Sequence, residues 1–525
     1  MTAGRQAMWA RTAAVATGHP LATAAALRTL YEGGNAADAA IAAAGVLSVV
    51  LPDMCGVGGD VFALVFDPHT GRVTALNGSG RAASQLGNLT RARPAEHTGP
   101  RLATVPGAVR AWADLLARFG TRSLRVLLRP AIDYASGGFP IGHRLALQIA
   151  RYQPVLSRDP ATSAVFLPGG RAPERGELLP QAGLAATLEQ VADHGPDSLY
   201  TGSLAARLAG WCHQRGGHLS EADFAQQHSI WTEPLVGTYR GLTVCVSPPV
   251  SQALLLLLQA AMLAGDDLAK AGHNSGEAVH LMVECKKRAF AARDRYLGDP
   301  DLVAPFPPEL LSPGFAREQR ATVTHEAFGP DRLADSQPAH ANTTYLAVVD
   351  AQGMAVSLIQ SIFNDWGCGS LAADTGILLN DRLLGFSWDP SSPNHVAPAK
   401  RPVHTLSPSL ILDDGALRMV LGTPGADAQV QTLMQLLVNL LDHGMELQAA
   451  IDAPRWRSGS EGDVLLERRV PVSTAEDLTR RGHHVVWGAD WDTRTGGAQA
   501  ILLDPRSGSL QAAADPRREG TAAGY

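Results

Sequence analysis

The sequence has no long apolar segment, no basic stripe and few cysteines. Its first twenty residues, MTAGRQAMWARTAAVATGHP, contain no continuous apolar core of secretory length. No later run reaches the roughly 18 apolar residues that are needed to span a bilayer. Lysine and arginine are scattered and the formal net charge is −6, so neither a nucleic acid nor a membrane surface is expected as a partner. These absences predict a cytoplasmic protein that acts on a small molecule.

Cysteine is scarce, which bears on both disulfides and zinc. The five cysteines stand at wide, unrelated spacings, at Cys55, Cys212, Cys245, Cys285 and Cys368. An odd number without close pairs argues against a disulfide framework and against a zinc cluster. We expect all five to be buried thiols.

Several motifs of metal, nucleotide and serine chemistry are also missing. The 17 histidines include no H-E-x-x-H pair, and His325 with Glu326 has no partner at ligand spacing. No G-x-S-x-G elbow presents a serine nucleophile, and NGSG at 77–80 is typical of a turn. GVGGD at 56–60 lacks the G-x-G-x-x-G spacing and precedes a strand, which favours close backbone packing over phosphate binding. No metal or other cofactor is therefore predicted.

What is present indicates a large globular protein with mixed secondary structure. The 525 residues are 45% hydrophobic, and length alone suggests about three domains as a starting expectation. Residues 19–52 predict two helices, with Gly33 and Gly34 ending the first and Asn35 with Asp38 beginning the second. A period-two pattern then predicts a hairpin of strands 61–66 and 72–76. Residues 276–301 read as the clearest amphipathic helix.

A polar loop meets a strand at the pair Thr343–Thr344. Residues 329–342, GPDRLADSQPAHAN, show no apolar period, and strand character resumes at Thr344. A threonine hydroxyl is a poor nucleophile unless a base lies beside it, and one solution is a chain cut that frees its own α-amine. Strand propensity alone also accounts for such a pair, so the spacing leaves both interpretations open.

Motifs spread over nearly the whole chain resemble those of γ-glutamyltransferases, which are N-terminal nucleophile hydrolases. The matching segments are GHPLATAAALRTLYEGGNAADAAIAAA, GVGGDVFALVF, VHLMVECKKRAFAARDRYLGDP, TTYLAVVDAQGMAVSLIQSIFNDWGCGS, TGILLND, KRPVHTLSPSLIL and GTPGADAQVQTLMQLLVNLLDHG. The resemblance implies an α+β fold, a four-layer αββα sandwich. It also implies an autocatalytic cut between Asn342 and Thr343, giving a large subunit of residues 1–342 and a small subunit of residues 343–525 that form one intertwined unit. A homodimer of these heterodimers stays open.

The resemblance assigns catalytic roles to further positions. The hydroxyl that supports the nucleophile falls on Ser361 in IQSIF, and the backbone amides of the oxyanion hole fall on Gly425 and Ala426 in GTPGAD. Structural alternatives exist for both, because Ser361 can end a strand and TPGA is also turn chemistry.

The substrate pocket departs from the γ-glutamyl pattern. The aspartate that binds the substrate ammonium is replaced by Gly385, while Arg382 stands for a glutamine and Phe363 for an asparagine. The position of the arginine that binds the glutamyl carboxylate is Ser79, with Arg81 two residues later. We expect Arg382 to bind an acidic acyl group through two hydrogen bonds. The alternative is that Arg382 faces solvent or pairs with Asp381 or Asp374.

Two more replacements and a short segment complete the expected pocket. A serine pair becomes His404 and Thr405, and His404 is either a substrate donor or a packed ring. Residues 386–402 are shorter than the family's usual lid, which predicts an open pocket.

These departures suggest an enzyme that hydrolyses amides of a small acidic acyl group of the oxamate or glutaryl type. A tailoring step in natural-product or antibiotic biosynthesis, including C–C cleavage, is a related hypothesis. A conventional γ-glutamyl hydrolase or transpeptidase acting on glutathione-like substrates is the alternative within the class. An unprocessed, non-catalytic binding protein on the same fold is the alternative of another class.

Overall fold

Two β-sheets stacked face to face form the centre of the protein. The structure is a computed structural model and describes residues 6–94, 98–328, 342–459 and 462–525. The strands are β1 Met8–Ala10, β2 Ala14–Thr17, β3 Asp60–Asp67, β4 Arg72–Gly78, β5 Phe139–Pro140, β6 Leu178–Leu179, β7 Ile230–Thr232, β8 Leu235–Tyr239, β9 Leu242–Val246, β10 Thr344–Val349, β11 Ala355–Ser361, β12 Ser409–Asp413, β13 Ala416–Gly422, β14 Trp456–Ser458, β15 Asp463–Leu466, β16 His484–Trp487, β17 Gln499–Leu503, β18 Leu510–Ala514 and β19 Thr521–Gly524.

Helices cover both outer faces of this pair of sheets. They are α1 Pro20–Tyr31, α2 Ala36–Val50, α3 Ala108–Phe119, α4 Leu124–Leu127, α5 Arg129–Gly137, α6 His143–Leu156, α7 Pro160–Phe166, α8 Ala182–His194, α9 Asp197–Tyr200, α10 Ser203–Gln214, α11 Glu221–Ala225, α12 Leu254–Leu263, α13 Leu268–Ala271, α14 Gly276–Tyr296, α15 Pro313–Ala321, α16 Ala428–Leu441, α17 Leu447–Asp452 and α18 Val472–Arg480.

Each sheet contains strands that precede Thr343 in the sequence and strands that follow it. One sheet runs β1-β18-β17-β13-β12-β9-β8 and the other runs β19-β2-β10-β11-β3-β4-β7. Helix α2 packs on β10 and β11, whereas α12 packs on β8 and α16 on β13. Separate apolar clusters fill the space between the two sheets and the space under each helical layer. The predicted four-layer αββα sandwich is confirmed.

The predicted hairpin is present, but its burial differs from the expected alternation. Strands β3 and β4 pair in register around a turn at residues 68–71, with Val61 opposite Gly78. Seven of the eight residues of β3 are buried. A helical layer and the second sheet cover its two faces, so both sets of side chains are apolar and the period-two pattern holds only weakly.

The predicted helix boundaries near the N-terminus are confirmed. Asn35 and Asp38 form a reciprocal capping box that begins α2, and Gly33 has a φ of 82° just after α1. The predicted amphipathic helix is α14, but its polar residues Glu284 and Lys287 are also buried.

The remaining elements of the sequence analysis are located as follows. All five cysteines are free and buried, as expected. The polar loop at 329–341 lies outside the described residues. Among the residues that are described, no helix is both long enough and apolar enough to cross a membrane.

The glycines of GVGGD serve close backbone packing, as the sequence favoured. A Cβ added at Gly58 would lie 2.2 Å from the Leu378 carbonyl oxygen, and one at Gly59 would lie 2.3 Å from that of Ser361. These contacts hold the loop against the end of β11, where the candidate site begins.

Candidate active site

The Thr343 hydroxyl lies at the junction of two central strands. Thr343 directly precedes β10 and is 2% exposed. The antiparallel register pairs Thr344 with Gln360, which places the start of β10 beside the end of β11. The Thr343 Oγ1 donates a hydrogen bond of 3.2 Å to the Oγ of Ser361, the last residue of β11.

The Ser361 hydroxyl connects the Thr343 hydroxyl to the preceding peptide bond. Its Oγ donates to the Asn342 carbonyl oxygen at 2.9 Å and accepts from the backbone N–H of Phe363 at 2.9 Å. A donor on that carbonyl oxygen polarises the bond that nucleophilic attack by Thr343 would break. The Ser361 side chain therefore bonds both the Thr343 hydroxyl and the Asn342 carbonyl, in addition to ending β11.

Asn342 is held at both its side chain and its backbone. Its carboxamide N–H₂ donates to Asp365, and its Oδ1 accepts from an Nη of Arg518 at 2.8 Å. Its backbone N–H donates to the Phe363 carbonyl oxygen at 3.0 Å. These bonds fix the orientation of the Asn342–Thr343 peptide.

Asp365 is a buried carboxyl group that the sequence did not single out. It also accepts a hydrogen bond of 3.0 Å from the Tyr152 hydroxyl. Burial, followed by the negative charge of Asp53, raises the pKa of Asp365 to about 6. Asp53 is itself held by two hydrogen bonds of 2.7 and 2.8 Å from Arg144.

Gly425 and Ala426 form a tight turn just before α16. Both have positive φ, 129° at Gly425 and 52° at Ala426. Their carbonyls accept from Ala428 and Gln429, while within the described chain their own amides donate to no protein acceptor. Gly425 and Asn342 line the same cleft, which places this turn near the Asn342–Thr343 peptide.

Arg382 is fully buried, and it bonds neither solvent nor the two expected acids, Asp381 and Asp374. Its Nε donates to Asp60 at 3.2 Å, and its guanidinium lies 4.5 Å from the centroid of the Phe363 ring. Both terminal nitrogens are buried, without a hydrogen-bond partner among the described residues. The alternative interpretation was wrong on both acids, because Asp381 accepts from Asn364 and Asp374 pairs with Arg207.

Asp60 was missed at the sequence level. The register pairs it with Ser361 across β3 and β11, so it lies beside the residue that accepts the hydrogen bond from Thr343. Burial raises its pKa to about 6, an effect that the positive charge of Arg382 opposes. An acid at the start of an otherwise apolar strand was the signal available in GVGGDVFALVF.

His404 is buried near Arg382 and packs on an aromatic ring. The imidazole lies 5.1 Å from the Phe62 ring, and neither ring nitrogen has a partner in the described part of the chain. Burial, followed by the charges of Arg382 and Arg401, lowers its pKa well below the ordinary value. The neighbouring Thr405 is also buried, and its carbonyl accepts from Ser407.

An apolar cluster lies between the turn at Ala426 and Arg382. It consists of Leu102, Phe363, Leu384 and Ala426. Gly385 follows Leu384, and a Cβ added there would meet its nearest neighbours at ordinary distances of 3.6–3.7 Å. A Cβ at this position is therefore accommodated without a clash.

Ser79 and Arg81 are engaged elsewhere. The Ser79 hydroxyl donates to Asn77 at 2.6 Å within its own turn. Arg81 forms ion pairs with Asp299 and Asp301. Neither side chain is bonded to the residues around Thr343, so the structure gives no support to a substrate role for them.

Residues 386–402 fold down on the protein. The Trp388 indole N–H donates to the Leu89 carbonyl at 2.8 Å, and the Lys400 ammonium donates to two carbonyls of the same segment. Thr343 and Arg382 are both buried. The short segment is therefore anchored through the Trp388 and Lys400 side chains, and the open pocket stays a prediction.

His280, Glu284 and His483 are close enough together to suggest a metal site. Most of their ligand atoms are already engaged, because the two imidazoles bond each other at 2.8 Å and Glu284 pairs with Lys287 and Arg288. Only Nδ1 of His483 has no partner among the described residues. A cation would have to compete with two positive charges for the same carboxylate, so this cluster is a structural contact.

Comparisons with known proteins agree with this architecture. The family profile described as Gamma-glutamyltranspeptidase matches residues 22–525. The glutathione hydrolase-like YwrD proenzyme of Bacillus subtilis is 37% identical over 523 residues, covering 97% of this chain and 98% of that protein. The oxamate amidohydrolase proenzyme of Klebsiella pneumoniae is 37% identical over 521 residues, covering 97% of each.

A solved structure is similar over the full length. The cephalosporin acylase from Bacillus halodurans matches with a TM-score of 0.93 and 35% identity, covering 100% of this chain and 98% of that one. The chain therefore belongs to the γ-glutamyltranspeptidase family of N-terminal nucleophile hydrolases.

Proposed function

We propose that this chain is a precursor that cuts itself between Asn342 and Thr343 and then hydrolyses amides through the freed Thr343. The observation that carries the proposal is the hydroxyl relay from Thr343 through Ser361 to the Asn342 carbonyl oxygen. The relatives named above are proenzymes. Residues 1–342 would become the large subunit and residues 343–525 the small subunit.

The cut creates the catalytic base. In the first step the Thr343 oxygen bonds to the Asn342 carbonyl carbon, the C–N bond breaks, and the nitrogen gains the hydroxyl proton. Water then hydrolyses the resulting ester, which leaves a carboxylate on Asn342 and a free amine on Thr343. That amine can take the hydroxyl proton when the next amide is attacked. The free amides of Gly425 and Ala426 would stabilise the oxyanion.

We propose a small acid as the acyl group. Within the described residues, both terminal nitrogens of Arg382 and both ring nitrogens of the nearby His404 have no hydrogen-bond partner. The Arg382 guanidinium packs on the ring of Phe363, whose amide bonds the Ser361 hydroxyl. A guanidinium whose donors are free is suited to bind a carboxylate through two hydrogen bonds. One relative acts on oxamate according to its name, which is an amide of this kind.

A γ-glutamyl substrate remains the alternative within the class, because another relative is named as a glutathione hydrolase-like protein. Its ammonium group would need a carboxylate, but position 385 is glycine. The nearby acids Asp60 and Asp381 are already bonded to Arg382 and Asn364. A natural-product substrate and C–C cleavage are further hypotheses that no contact in the site favours.

The processing step is tested by a matched pair of variants. Thr343→Ala should remain a single band of 55.2 kDa on a denaturing gel, whereas Thr344→Ala should be cut as the wild type is. The new N-terminus should read Thr-Thr-Tyr on sequencing. An uncut and inactive wild type would favour the non-catalytic binding protein, and a cut Thr343→Ala would identify another nucleophile.

The acyl specificity is tested with amides that share one leaving group. Oxalyl and glutaryl anilides should be hydrolysed at least about tenfold faster, by kcat/KM, than the γ-glutamyl anilide. Arg382→Gln should raise KM for the acidic anilides more than for a butyryl anilide. Gly385→Asp should shift the preference toward the γ-glutamyl anilide, and rapid γ-glutamyl turnover by the wild type would overturn the proposal.

We also propose a cytoplasmic location, which five free thiols support. Fractionation of cells that express the chain would test it. Recovery of the activity outside the cytoplasm would contradict it.

A further inference from the structure

The guanidinium of Arg293 joins two segments of the candidate site that are far apart in the sequence. Arg293 lies in the last turn of α14 and is 8% exposed. Its Nη1 donates one hydrogen bond of 2.8 Å to the Asp427 carboxylate and another of 2.8 Å to the Gln252 side-chain oxygen. Its Nε donates to Asp294 at 2.8 Å. Three acceptors therefore fix the orientation of this buried cation.

Asp427 connects Arg293 to the turn at Gly425 and Ala426. It directly follows Ala426 and occupies the N-cap position of α16. An aspartate at this position commonly accepts hydrogen bonds from the first amides of its own helix. In the described chain the Asp427 side chain makes no such bond and pairs with Arg293 instead. The turn is therefore tied to α14 through its next residue.

The turn needs such a support because of its backbone conformation. Ala426 has a φ of 52°, which residues other than glycine rarely adopt. A conformation of this kind persists only where neighbouring contacts hold it. The Ala426 side chain belongs to the apolar cluster of Leu102, Phe363 and Leu384, and the ion pair at the next residue holds the backbone that follows. Loss of that ion pair would let the amides of the turn shift.

Gln252 connects Arg293 to the segment that carries His404. The backbone N–H of Gln252 donates to the His404 carbonyl oxygen at 2.8 Å. Gln252 precedes Thr343 in the sequence, whereas the turn follows it. A single guanidinium therefore spans the proposed cut and sets the turn relative to the His404 segment.

Given the acyl transfer to Thr343 proposed above, we propose that Arg293 is a positioning residue, which holds the amides of Gly425 and Ala426 where the oxyanion forms. A donor of this kind acts only within hydrogen-bond distance of the oxygen that becomes charged. Within the described residues, Arg293 bonds neither Thr343 nor Arg382. Its loss should therefore lower kcat through the turn and leave the binding of the acyl group, and with it KM, nearly unchanged.

The first test separates kcat from KM. Arg293→Met keeps the length of the side chain and removes its donors. With glutaryl 4-nitroanilide, its kcat per processed chain should fall about 10- to 100-fold, while KM stays within about twofold of the wild type. Arg293→Lys should lose less, because an ammonium can still donate to Asp427. A wild-type kcat in Arg293→Met, or a change confined to KM, would overturn the proposal.

Arg320→Met is the matched control. Arg320 lies on α15 in the same helical layer and donates to Asp266 at 2.8 and 2.6 Å. This variant also loses a paired arginine, but not one that bonds the residue after the turn, so it should keep the wild-type kcat. An equal fall of kcat in both methionine variants would contradict the positioning role.

A double variant separates positioning from stability. Arg293→Met leaves the Asp427 carboxylate buried and unpaired, which destabilises the fold. Adding Asp427→Asn removes that charge and supplies another good N-cap residue. The double variant should melt closer to the wild type than Arg293→Met does, while its kcat stays reduced about tenfold or more. Recovery of kcat together with the melting temperature would contradict the proposal, and if Arg293→Met does not fold, the double variant and Arg293→Lys decide the kcat test.

Covalent labelling separates this proposal from the acyl specificity. An alkyl fluorophosphonate should phosphonylate the Thr343 hydroxyl: the O–P bond forms, fluoride leaves and the hydroxyl proton passes to the α-amine. Mass spectrometry of the small subunit measures the rate. The phosphoryl oxygen uses the same amides of the turn, so Arg293→Met should slow labelling about tenfold and Arg320→Met should not.

The outcomes distinguish the two proposals. If no anilide is hydrolysed but labelling slows in Arg293→Met alone, the acyl group is wrong and the positioning role stands. If all three proteins are labelled equally, only the positioning role is wrong. If the wild type is neither cut nor labelled, the proposed function fails and the positioning role fails with it.

Discussion

The Ser361 hydroxyl contacts three groups that matter at different stages of the proposed reaction. It accepts from the Thr343 hydroxyl and the Phe363 amide, and it donates to the Asn342 carbonyl. A hydroxyl with two donors and one acceptor in place has no freedom to rotate away. Its orientation is therefore fixed before the cut.

We expect Ser361→Ala to slow self-cleavage by about 10- to 100-fold, because the scissile carbonyl loses its hydrogen-bond donor. A time course on denaturing gels measures this rate. Ser361→Thr should restore most of it. Ser357→Ala, which removes another buried hydroxyl of β11, one that bonds Tyr345 on β10, is the control, and equal slowing by both alanine variants would point to strand damage.

The buried Asp365 should give self-cleavage a pH dependence. Its folded pKa of about 6 lies above the ordinary value near 3.9, so it loses its charge as the pH falls through 6 and holds the Asn342 amide less firmly. The rate of the cut should rise with pH through about 6. Asp365→Asn should remove this step, which is measured by gel assays between pH 5 and 8.

The same shift has a defined sign for stability. Because the folded pKa is raised, the stability contributed by Asp365 is present below pH 4 and is lost as the pH rises through 6. Urea unfolding should show Asp365→Asn gaining stability over the wild type across that range. The exposed Asp413→Asn is the control and should keep the wild-type profile.

At the scale of elements, the sequence predicted those parts of the fold that depend on local signals. The capping box at Asn35, the helix end at Gly33 and the hairpin around residues 68–71 all follow from short-range chemistry. The family resemblance supplied the four layers. Residues near β3 in the sequence do not indicate that a second sheet covers this strand, so the burial of both its faces was not predicted.

The site was predictable where a role belongs to a motif, and not where it depends on strand register. Thr343 and Ser361 were placed together correctly. Asp60 meets Arg382 only because β3 pairs with β11, and Arg518 reaches Asn342 from the far end of the chain. Pairings of this kind cannot be read from spacing.

The loop before β3 gives a test of close packing. Gly58→Ala would place a Cβ 2.2 Å from the Leu378 carbonyl oxygen, and we expect a loss of about 1–3 kcal/mol or more in the free energy of unfolding. Gly56→Ala, whose Cβ would meet no atom closer than 4.0 Å, should change it by less than about 1 kcal/mol. Chemical unfolding measures the free energy of unfolding of both variants. Similar losses in the two would show that the loop needs glycine for its flexibility and not for close packing.

At the scale of the whole molecule, the two proposed subunits share both sheets. Strands β10 and β11, which follow Thr343, lie between β2 and β3, which precede it. Separating the subunits would break the backbone hydrogen bonds of five strand pairs, β1–β18, β2–β10, β3–β11, β9–β12 and β2–β19, and expose apolar surface.

We therefore expect the two fragments to remain together after the cut. They should co-elute in size-exclusion chromatography without denaturant and separate only in denaturing conditions. Fragments that part in native buffer would contradict the shared-sheet arrangement. The Thr343→Ala precursor, which has no cut, is the reference for the elution volume.

Arg518 ties the proposed self-cleavage to the end of synthesis. Because its guanidinium holds the Asn342 side chain and β19 pairs with β2, the proposed cutting site is incomplete until residue 518 has left the ribosome. A nascent chain that stalls earlier should stay whole and inert, so the cell would gain nucleophilic activity only from copies whose synthesis has run past that point.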